Sequence, residues 1–215
     1  MKQLFSLTAL AAVVLMVAGF AAQPAQDPPA SPAPAATVSA DVSPYALDKL
    51  HSQVMFKVRH LGISNVTGEF DDFDATMSLD PDDLSTFQAS ATVNVASIDT
   101  GNDRRDGHLR SDDFFNAEGF PQMTFASTGV TGVDGNMFKV NGDLTIRETT
   151  QPVTFDVELL GTATGPDGTQ RAAFTAETTI NRLDYGLQWN ELTEAGGVIV
   201  SPEVTIILEI QGIQQ

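Results

Sequence analysis

The segment Val153-Thr154-Phe155-Asp156-Val157-Glu158-Leu159 places an apolar side chain at every second position and a polar one between them. Successive side chains of a β-strand point to opposite faces of the sheet, so this alternation is typical of a strand with one buried face. The segment therefore predicts a fold built from half-buried strands.

The same two-residue period recurs along the chain outside this segment. Short connections rich in Asp, Pro, Gly and Asn, at 80–83, 134–136 and 165–168, separate several of the strands and favour antiparallel neighbours. The seven further alternating segments lie at residues 54–59, 73–79, 89–96, 123–125, 138–146, 172–180 and 204–210. Eight such strands can pack as a two-sheet sandwich or close into an antiparallel β-barrel, and closure removes the exposed edges.

Two stretches depart from the β pattern. Residues 103–116 carry Leu109, Phe114 and Phe115 at spacings compatible with one or two helical turns, so we expect a short helix or structured loop there. Residues 186–197 are the second irregular region and contain Trp189, the only tryptophan of the chain.

The N-terminus has the layout of a secretory signal peptide, with a basic start, an uncharged apolar run and small residues after it. We expect residues 1–21 to be this signal, with cleavage near Ala21. An uncleaved anchor is the competing interpretation, although the run is marginal for the about 20 residues that span a bilayer. Residues 22–43 are rich in Pro and Ala and predict a disordered linker, which leaves residues 44–213 as one domain.

The composition excludes several classes of function. The chain has no cysteine, so disulfides, iron–sulfur clusters and thiolate zinc sites are excluded. Its formal net charge of -17 argues against nucleic acid as a partner and against attraction to anionic membranes. Among its large apolar residues are 13 Phe and 6 Met, which suit either a cavity for a flexible apolar ligand or an ordinary packed core. Composition alone does not decide between the two.

The three histidines are the candidates for chemistry. His51, His60 and His108 suggest a metal-dependent enzyme, because three histidines can bind a catalytic zinc ion. However, no His-Glu-x-x-His spacing, Gly-x-Ser-x-Gly elbow or phosphate-binding glycine-rich loop occurs. We keep a metal- or lipid-dependent enzyme that uses these histidines as an alternative.

Ordered motifs give the chain a resemblance to a known family. It resembles the YceI-like family of periplasmic lipid-binding proteins over about residues 45–210. The motifs that carry the resemblance are Leu47-Asp48, His51-Ser52-Gln53-Val54-Met55-Phe56-Lys57-Val58-Arg59-His60, Val66-Thr67-Gly68-Glu69-Phe70, Ala96-Ser97-Ile98-Asp99-Thr100, Arg105-Asp106-Gly107-His108-Leu109, Phe114-Phe115, Phe120-Pro121-Gln122-Met123-Thr124-Phe125, Gly142-Asp143-Leu144-Thr145-Ile146 and Asn181-Arg182-Leu183-Asp184-Tyr185-Gly186. Two positions depart from the family pattern: Tyr45 stands where Trp is usual, and Glu148 stands where Gly often follows Arg147.

The resemblance implies an all-β, eight-stranded antiparallel lipocalin-like barrel with an internal tunnel and a short helix or loop insertion near residues 103–116. It implies periplasmic binding, transport or storage of an isoprenoid lipid, either a quinone or a prenyl-phosphate-type amphiphile, without catalysis. No cofactor, metal or nucleic acid is expected, nor stable membrane insertion after signal cleavage, and a homodimer is left open. A packed interaction domain without ligand remains a further alternative.

The residues expected to bind the ligand divide into two groups. The larger group consists of apolar side chains along the tail, and the smaller group consists of cationic or titratable side chains that would meet the head group. The first group is Phe56, Val58, Phe70, Met77, Val93, Phe114, Phe125, Val140, Phe155 and Phe174, and the second is His60, His108 and Arg110.

Overall fold

The computed structural model describes residues 41–190 and 199–215. The expected signal peptide and the linker up to residue 40 lie outside the described residues, so both stay predictions. The described strands are β1 Ser43–Leu47, β2 Gln53–His60, β3 Ser64–Phe70, β4 Phe73–Asp80, β5 Asp83–Asn94, β6 Ile98–Asp99, β7 Gln122–Asp134, β8 Met137–Ile146, β9 Thr149–Thr164, β10 Gln170–Asn181 and β11 Val200–Gln214. One α-helix, α1 (Asp103–Arg110), and three 3₁₀ turns (Lys49–His51, Val95–Ser97 and Arg182–Tyr185) complete the described secondary structure.

Eight of these strands form a closed antiparallel ring. The order around it is β1-β4-β5-β7-β8-β9-β10-β11, and β11 returns to β1 through pairs such as Tyr45 with Gln214. The remaining three strands form a branch from β11. Strand β2 pairs with residues 200–209 of β11, β3 pairs with β2, and β6 pairs with β3. The predicted eight-stranded antiparallel barrel with one short helix is confirmed.

Membership of the ring differs from what the alternation indicated. The strand predicted at residues 54–59 is β2, which pairs with β11 and β3 but not with β4. The eighth member of the ring is β1, which has only five residues and contains Pro44. Such a short segment shows no alternation, and proline favours a strand edge, so the sequence pattern carries little signal for it.

Two apolar clusters fill the barrel interior. One contains Phe87, whose ring lies edge-on to the rings of Phe138 and Phe174, with centroids 5.4 Å apart in each pair. The other contains Phe70, Ile98 and Ile146 and lies toward α1. Phe125 and Val153 pack against both clusters, so the two form a continuous interior. Offset and edge-on aromatic pairs add stability beyond their buried area.

The helix α1 is fixed by polar contacts at its start. The Asn102 side chain accepts a hydrogen bond from the Arg105 amide and so caps the helix. Asp106 is buried and accepts from the Thr100 amide at 3.0 Å, while the Arg105 guanidinium donates to the Thr100 carbonyl oxygen at 2.7 Å. These contacts bind α1 to the strand end that precedes it.

The β8–β9 turn lies at the same end of the barrel as α1. Ile146 pairs with Thr149, so Arg147 and Glu148 form a two-residue turn in which Arg147 has a φ of 56°. The Arg147 guanidinium donates to the carbonyl oxygens of Phe114 at 3.3 Å and Gly186 at 3.4 Å. A left-handed residue other than glycine is costly, and here these contacts hold it in place.

Within residues 41–190 and 199–215, none of the helices has the length and apolar character that a membrane crossing requires.

Candidate functional site

An apolar cavity of about 240 Å³ lies inside the barrel. Side chains from both core clusters line it, from Phe87 and Phe174 in one to Phe70 and Ile146 in the other. An engineered apolar cavity of about 150 Å³ is large enough to bind benzene. The barrel therefore encloses space for a ligand larger than one benzene ring.

Strand pairing explains why the cavity wall is apolar. In the β4–β5 pair, Phe73 faces Val93 and Ala75 faces Ala91, and all four side chains line the cavity. Side chains that alternate along paired strands point to the same face, so the register carries one apolar row around the ring. Small residues such as Ala91 leave the space that the neighbouring phenylalanines do not fill.

Ten of the residues expected to contact a lipid tail line this cavity. They come from eight strands and from the segment after α1, and the wall brings them together: Phe56, Val58, Phe70, Met77, Val93, Phe114, Phe125, Val140, Phe155 and Phe174. Their contact with a ligand stays a prediction.

The three residues expected at a head group are not among the lining residues. His60 ends β2 and pairs with Val200, and the His108 Nε2 atom lies 2.9 Å from the Asp113 carboxylate. The Arg110 guanidinium donates to the Ile98 carbonyl oxygen at 3.0 Å and faces a separate cleft, which is lined by Asp71, Asp99, Asp103 and Asp106. A head-group role for these three side chains stays a prediction, and the cavity geometry gives no support for it.

Arg182 is a charged residue at the wall that the sequence analysis did not single out as a ligand contact. It is buried, and its guanidinium donates to the carbonyl oxygens of Trp189 at 2.9 Å, Ser201 at 3.0 Å and Val200 at 3.2 Å. Burial lowers the pKa of this guanidinium. No carboxylate within the described residues pairs with it, so backbone dipoles carry its compensation. Its signal in the sequence was its place in the Asn181-Arg182-Leu183-Asp184-Tyr185-Gly186 motif.

Arg182 and Asn190 tie together two chain segments next to the cavity. Asn190 donates to the Val200 carbonyl oxygen at 2.7 Å and accepts from the amides of Ile199 and Val200 at 3.1 Å. Together with the Arg182 contacts, these bonds hold residues 187–190 against the start of β11. Leu187 and Val200, which lie in these segments, both line the cavity.

An aromatic group joins α1 to the same region. The ring of His108 lies edge-on to Phe114 at 5.1 Å and to Trp189 at 4.9 Å, and Phe114 lies 5.2 Å from Trp189. Because Phe114 also lines the cavity, these three rings pack together beside the cavity wall at the α1 end of the barrel. His108 therefore contributes to the packing around Phe114.

Two lining residues, Met55 of β2 and Asp74 of β4, come from strands that do not pair with each other. The Lys49 Nζ atom lies 3.5 Å from the Asp74 carboxylate at this position. The polar residues among those that line the cavity include Asp74, Ser90 and Thr124.

The histidines do not come together. His51 lies in the first 3₁₀ turn and its Nδ1 atom is 2.9 Å from the Asp48 carboxylate, whereas His60 ends β2 and His108 lies in α1. Within residues 41–190 and 199–215, no group of three or more His, Asp and Glu side chains has the arrangement of a metal site.

Comparison with known proteins places the chain among related barrels. The family model described as a YceI-like domain matches residues 45–212. A UPF0312 protein of Staphylococcus aureus strain bovine RF122 / ET3-1 is 42% identical over 161 residues, which is 74% of this chain and 91% of that protein. A UPF0312 protein of Staphylococcus epidermidis strain ATCC 12228 has the same identity and coverage.

Solved structures share the fold. BcnA of Burkholderia cenocepacia is 26% identical with a TM-score of 0.68, covering 77% of this chain and 98% of that one. The YCEI protein of Campylobacter jejuni is 34% identical with a TM-score of 0.64, covering 80% and 98%. A polyisoprenoid binding domain from Saccharophagus degradans is 19% identical with a TM-score of 0.54 and the same coverage, and this likeness concerns the fold alone.

Proposed function

Since the chain belongs to the YceI-like domain family, we propose that it binds the apolar tail of an isoprenoid lipid inside its barrel and carries or stores that lipid without chemical change. The observation that carries this proposal is the cavity of about 240 Å³ inside the barrel, with its apolar wall. A protein whose barrel were fully packed would have no such space. The name of the Saccharophagus degradans domain, which says that it binds polyisoprenoid, is consistent with this class of ligand.

The energetics favour binding through the tail. Each methylene group removed from water contributes about 0.8 kcal/mol, so a few isoprene units supply most of the affinity of a typical carrier. By the benzene comparison, the present space holds on the order of ten carbon atoms. A longer tail has to displace side chains, and the flexible Met77 and Met123 at the wall are suited to that movement.

Selection by head group is expected to be weak. The polar side chains at the wall are few, and the guanidinium of Arg182 is already bonded to carbonyl oxygens. A neutral quinone and a prenyl phosphate with the same tail should therefore bind with similar affinity. This tail-dominated binding agrees with a carrier that releases its ligand intact.

Location and assembly are part of the proposal. We place the mature protein in the periplasm, after removal of residues 1–21, with residues 22–43 as a linker between the cleavage position and the barrel. Sequencing of the N-terminus of the exported protein tests this, because a first residue near 22 is expected and an intact Met1 would contradict it. Native mass spectrometry of the purified protein measures whether it is a monomer or a homodimer.

The decisive test fills the cavity while leaving the rest of the wall intact. Ala91→Phe adds a bulky apolar side chain at a half-buried wall position, and we expect loss of copurifying lipid in native mass spectrometry with little loss of stability. Thr92→Phe adds the same ring one residue later, on the other face of β5, and should keep the lipid. Full lipid occupancy in folded Ala91→Phe protein would contradict binding in this cavity.

A further inference from the structure

The β2–β3 hairpin ends in an exposed apolar tip, formed by Leu61, Gly62 and Ile63. Ile63 is 82% exposed and Leu61 is 43% exposed. The Leu61 amide donates to the Ile199 carbonyl oxygen at 2.8 Å and the Ile63 amide donates to the His60 carbonyl oxygen at 3.1 Å. The tip is thus a defined turn that presents two large apolar side chains to solvent.

The turn chemistry at this tip is unusual. Leu61 and Gly62 have φ values of 51° and 71°, the left-handed conformation in which hairpin turns normally place Asn, Asp or Gly. Leucine is strained there and also exposes its apolar surface, so the position costs stability twice. A residue that departs from the local rules in this way, with no side-chain contact that holds it, is a candidate for a function other than folding.

Charge distinguishes this tip from the rest of an acidic protein. Lys57 and Arg59 lie just before it on β2, and within residues 41–190 and 199–215 neither has a carboxylate within 4.0 Å. The β3 residues that pair with them are Thr67 and Asn65, which are uncharged. Glu203 lies in the bulged part of β11 opposite this end of β2 but forms no ion pair with Arg59.

The tip also lies next to the cavity. Val58 and Val200 line the cavity wall, and Val200 pairs with His60, the residue immediately before the tip. The tip therefore directly follows His60, which pairs with Val200 of the cavity wall.

A second hairpin provides a contrast. Met137, which is 46% exposed, lies at the β7–β8 turn beside Asp134 and pairs with Glu158. Across the sheet, Met137 pairs with Glu158, Glu158 with Thr175, and Thr175 with Glu209 of β11. Glu209 lies nine residues from Val200, which pairs with the residue before the β2–β3 tip. At about 3.3 Å per residue, these nine residues span roughly 30 Å along β11. The apolar surface at Met137 is surrounded by acids, whereas the one at Ile63 is preceded by bases.

We propose that the β2–β3 tip docks the protein on an anionic lipid bilayer, with Leu61 and Ile63 entering the head-group layer and Lys57 and Arg59 facing anionic head groups. This inference rests on the proposed function, because a carrier of a water-insoluble lipid has to meet a membrane at the cavity. Apolar side chains and neighbouring bases together give the reversible surface binding that peripheral proteins use. At physiological salt the Debye length is about 8 Å, so carboxylates farther than that from Lys57 and Arg59 are screened.

Vesicle partitioning tests the docking surface. The mature protein is sedimented with vesicles of equal parts phosphatidylcholine and phosphatidylglycerol, and with vesicles of phosphatidylcholine alone. We expect the double variant Leu61→Asn/Ile63→Asn to partition at least about tenfold more weakly, because two apolar contacts are lost. Met137→Asn should partition like the unaltered protein. Lys57→Gln/Arg59→Gln should weaken partitioning about tenfold on vesicles with phosphatidylglycerol and change it little on phosphatidylcholine.

A labelling experiment keeps the test decisive if the double variant folds poorly. The chain contains no cysteine, so Ile63→Cys and Met137→Cys each provide a unique position for an environment-sensitive fluorophore. We expect a blue shift at position 63 on addition of the anionic vesicles and none at position 137. Equal shifts at both positions, or no shift at 63, would overturn the proposal. A shift at 63 that follows protein concentration without vesicles would assign the tip to a second copy of the chain, and would overturn it also.

Lipid occupancy separates this inference from the proposed function. Native mass spectrometry of the tip variants should show unchanged copurifying lipid, because the tip side chains lie outside the cavity wall. Vesicle binding that survives in Ala91→Phe protein without lipid would leave docking intact. Vesicle binding by an unaltered protein that never carries lipid would contradict the carrier function alone.

Discussion

Tyr185 shows at the scale of one residue how burial determines chemistry. Its side chain is buried in the cluster beneath α1, and within the described residues its hydroxyl group has no hydrogen-bond partner. Burial, together with the nearby Asp184 carboxylate, raises the pKa of Tyr185 to about 12. The hydroxyl group therefore contributes little to stability at neutral pH, since removal of an unsatisfied polar group is nearly neutral or stabilising.

The first prediction concerns Tyr185→Phe. At pH 7 we expect the free energy of unfolding to change by less than about 1 kcal/mol or to rise, because no hydrogen bond is lost. In the unaltered protein the unfolded chain loses the phenolic proton near pH 10 while the folded chain retains it up to about pH 12. Stability should then fall between these pH values, and the variant should lack that part of the fall. Urea unfolding at pH 7, 10 and 11 measures both effects, and a loss of several kcal/mol at pH 7 would reveal a bonded hydroxyl.

The sequence predicted the apolar residues of the cavity wall better than it predicted the partners of the polar side chains. Phe155 and Val140 were assigned to the interior because the alternation fixes which face they share, and both line the cavity. A head-group role for His108 and Arg110 stays a prediction. Within the described residues their hydrogen-bond partners are Asp113 and the Ile98 carbonyl oxygen. Those partners depend on how α1 packs, which no periodicity encodes.

At the scale of the element, the β7–β8 pair depends on a glycine. A Cβ atom at Gly142 would lie 2.6 Å from the Ala126 carbonyl oxygen and would collide with the ring of Phe125. Phe125 lines the cavity and lies edge-on to Phe155 at 5.4 Å. The Phe125 ring can therefore occupy its position at the cavity wall only because residue 142 has no side chain.

We predict that Gly142→Ala lowers the free energy of unfolding by about 1–3 kcal/mol, the usual cost of overpacking. The displaced Phe125 ring should also reduce the amount of lipid that copurifies. Gly129→Ala in β7 is the matched control, because nothing lies within 4 Å of a Cβ atom there. Urea unfolding and lipid extraction of both variants check the prediction, and equal stability of the two would contradict it.

The strands that the sequence did not reveal share a physical reason. β1 has five residues with Pro44, β6 has two residues, and β3 carries Ser64, Asn65, Thr67 and Glu69 between few apolar positions. Alternation is visible only where several successive side chains divide between a wet and a dry face. These three strands are instead held by backbone pairing to longer neighbours, which leaves little trace in residue type.

At the scale of the whole molecule, closure of the ring depends on its shortest member. β1 joins β4 to β11, and the turn that follows β1 is held by Asp48. The Asp48 carboxylate accepts hydrogen bonds from Arg171 of β10 at 2.8 Å and from Gln211 of β11 at 2.9 Å, and His51 lies 2.9 Å from it. Because the partners come from both ends of the sequence, this buried carboxylate stabilises the closed form of the barrel.

The last prediction follows from the charge of Asp48. The hydrogen bond with His51 is the main cause that lowers the pKa of Asp48, opposed by burial and supported by bonds from the Leu50 amide and Gln211. A carboxyl group with a depressed folded pKa adds stability above its unfolded pKa of about 3.9 and loses that contribution as pH falls through the folded value. Asp48→Asn should therefore lower the free energy of unfolding by about 2–3 kcal/mol at pH 7, because the half-buried Arg171 loses one of its two carboxylate partners and only Asp167 remains.

The difference between the unaltered protein and Asp48→Asn should shrink as pH falls below about 4, because protonation of Asp48 removes the same interactions. Asp156→Asn is the control: that carboxylate is 65% exposed and pairs with Lys139 on the surface, so its removal should cost less than about 1 kcal/mol at any pH. Urea unfolding of the three proteins at pH 7, 5 and 3 measures these differences. A loss of stability in Asp48→Asn that stays constant down to pH 3 would contradict this prediction. It would show that the charge of Asp48 does not contribute to closure of the barrel.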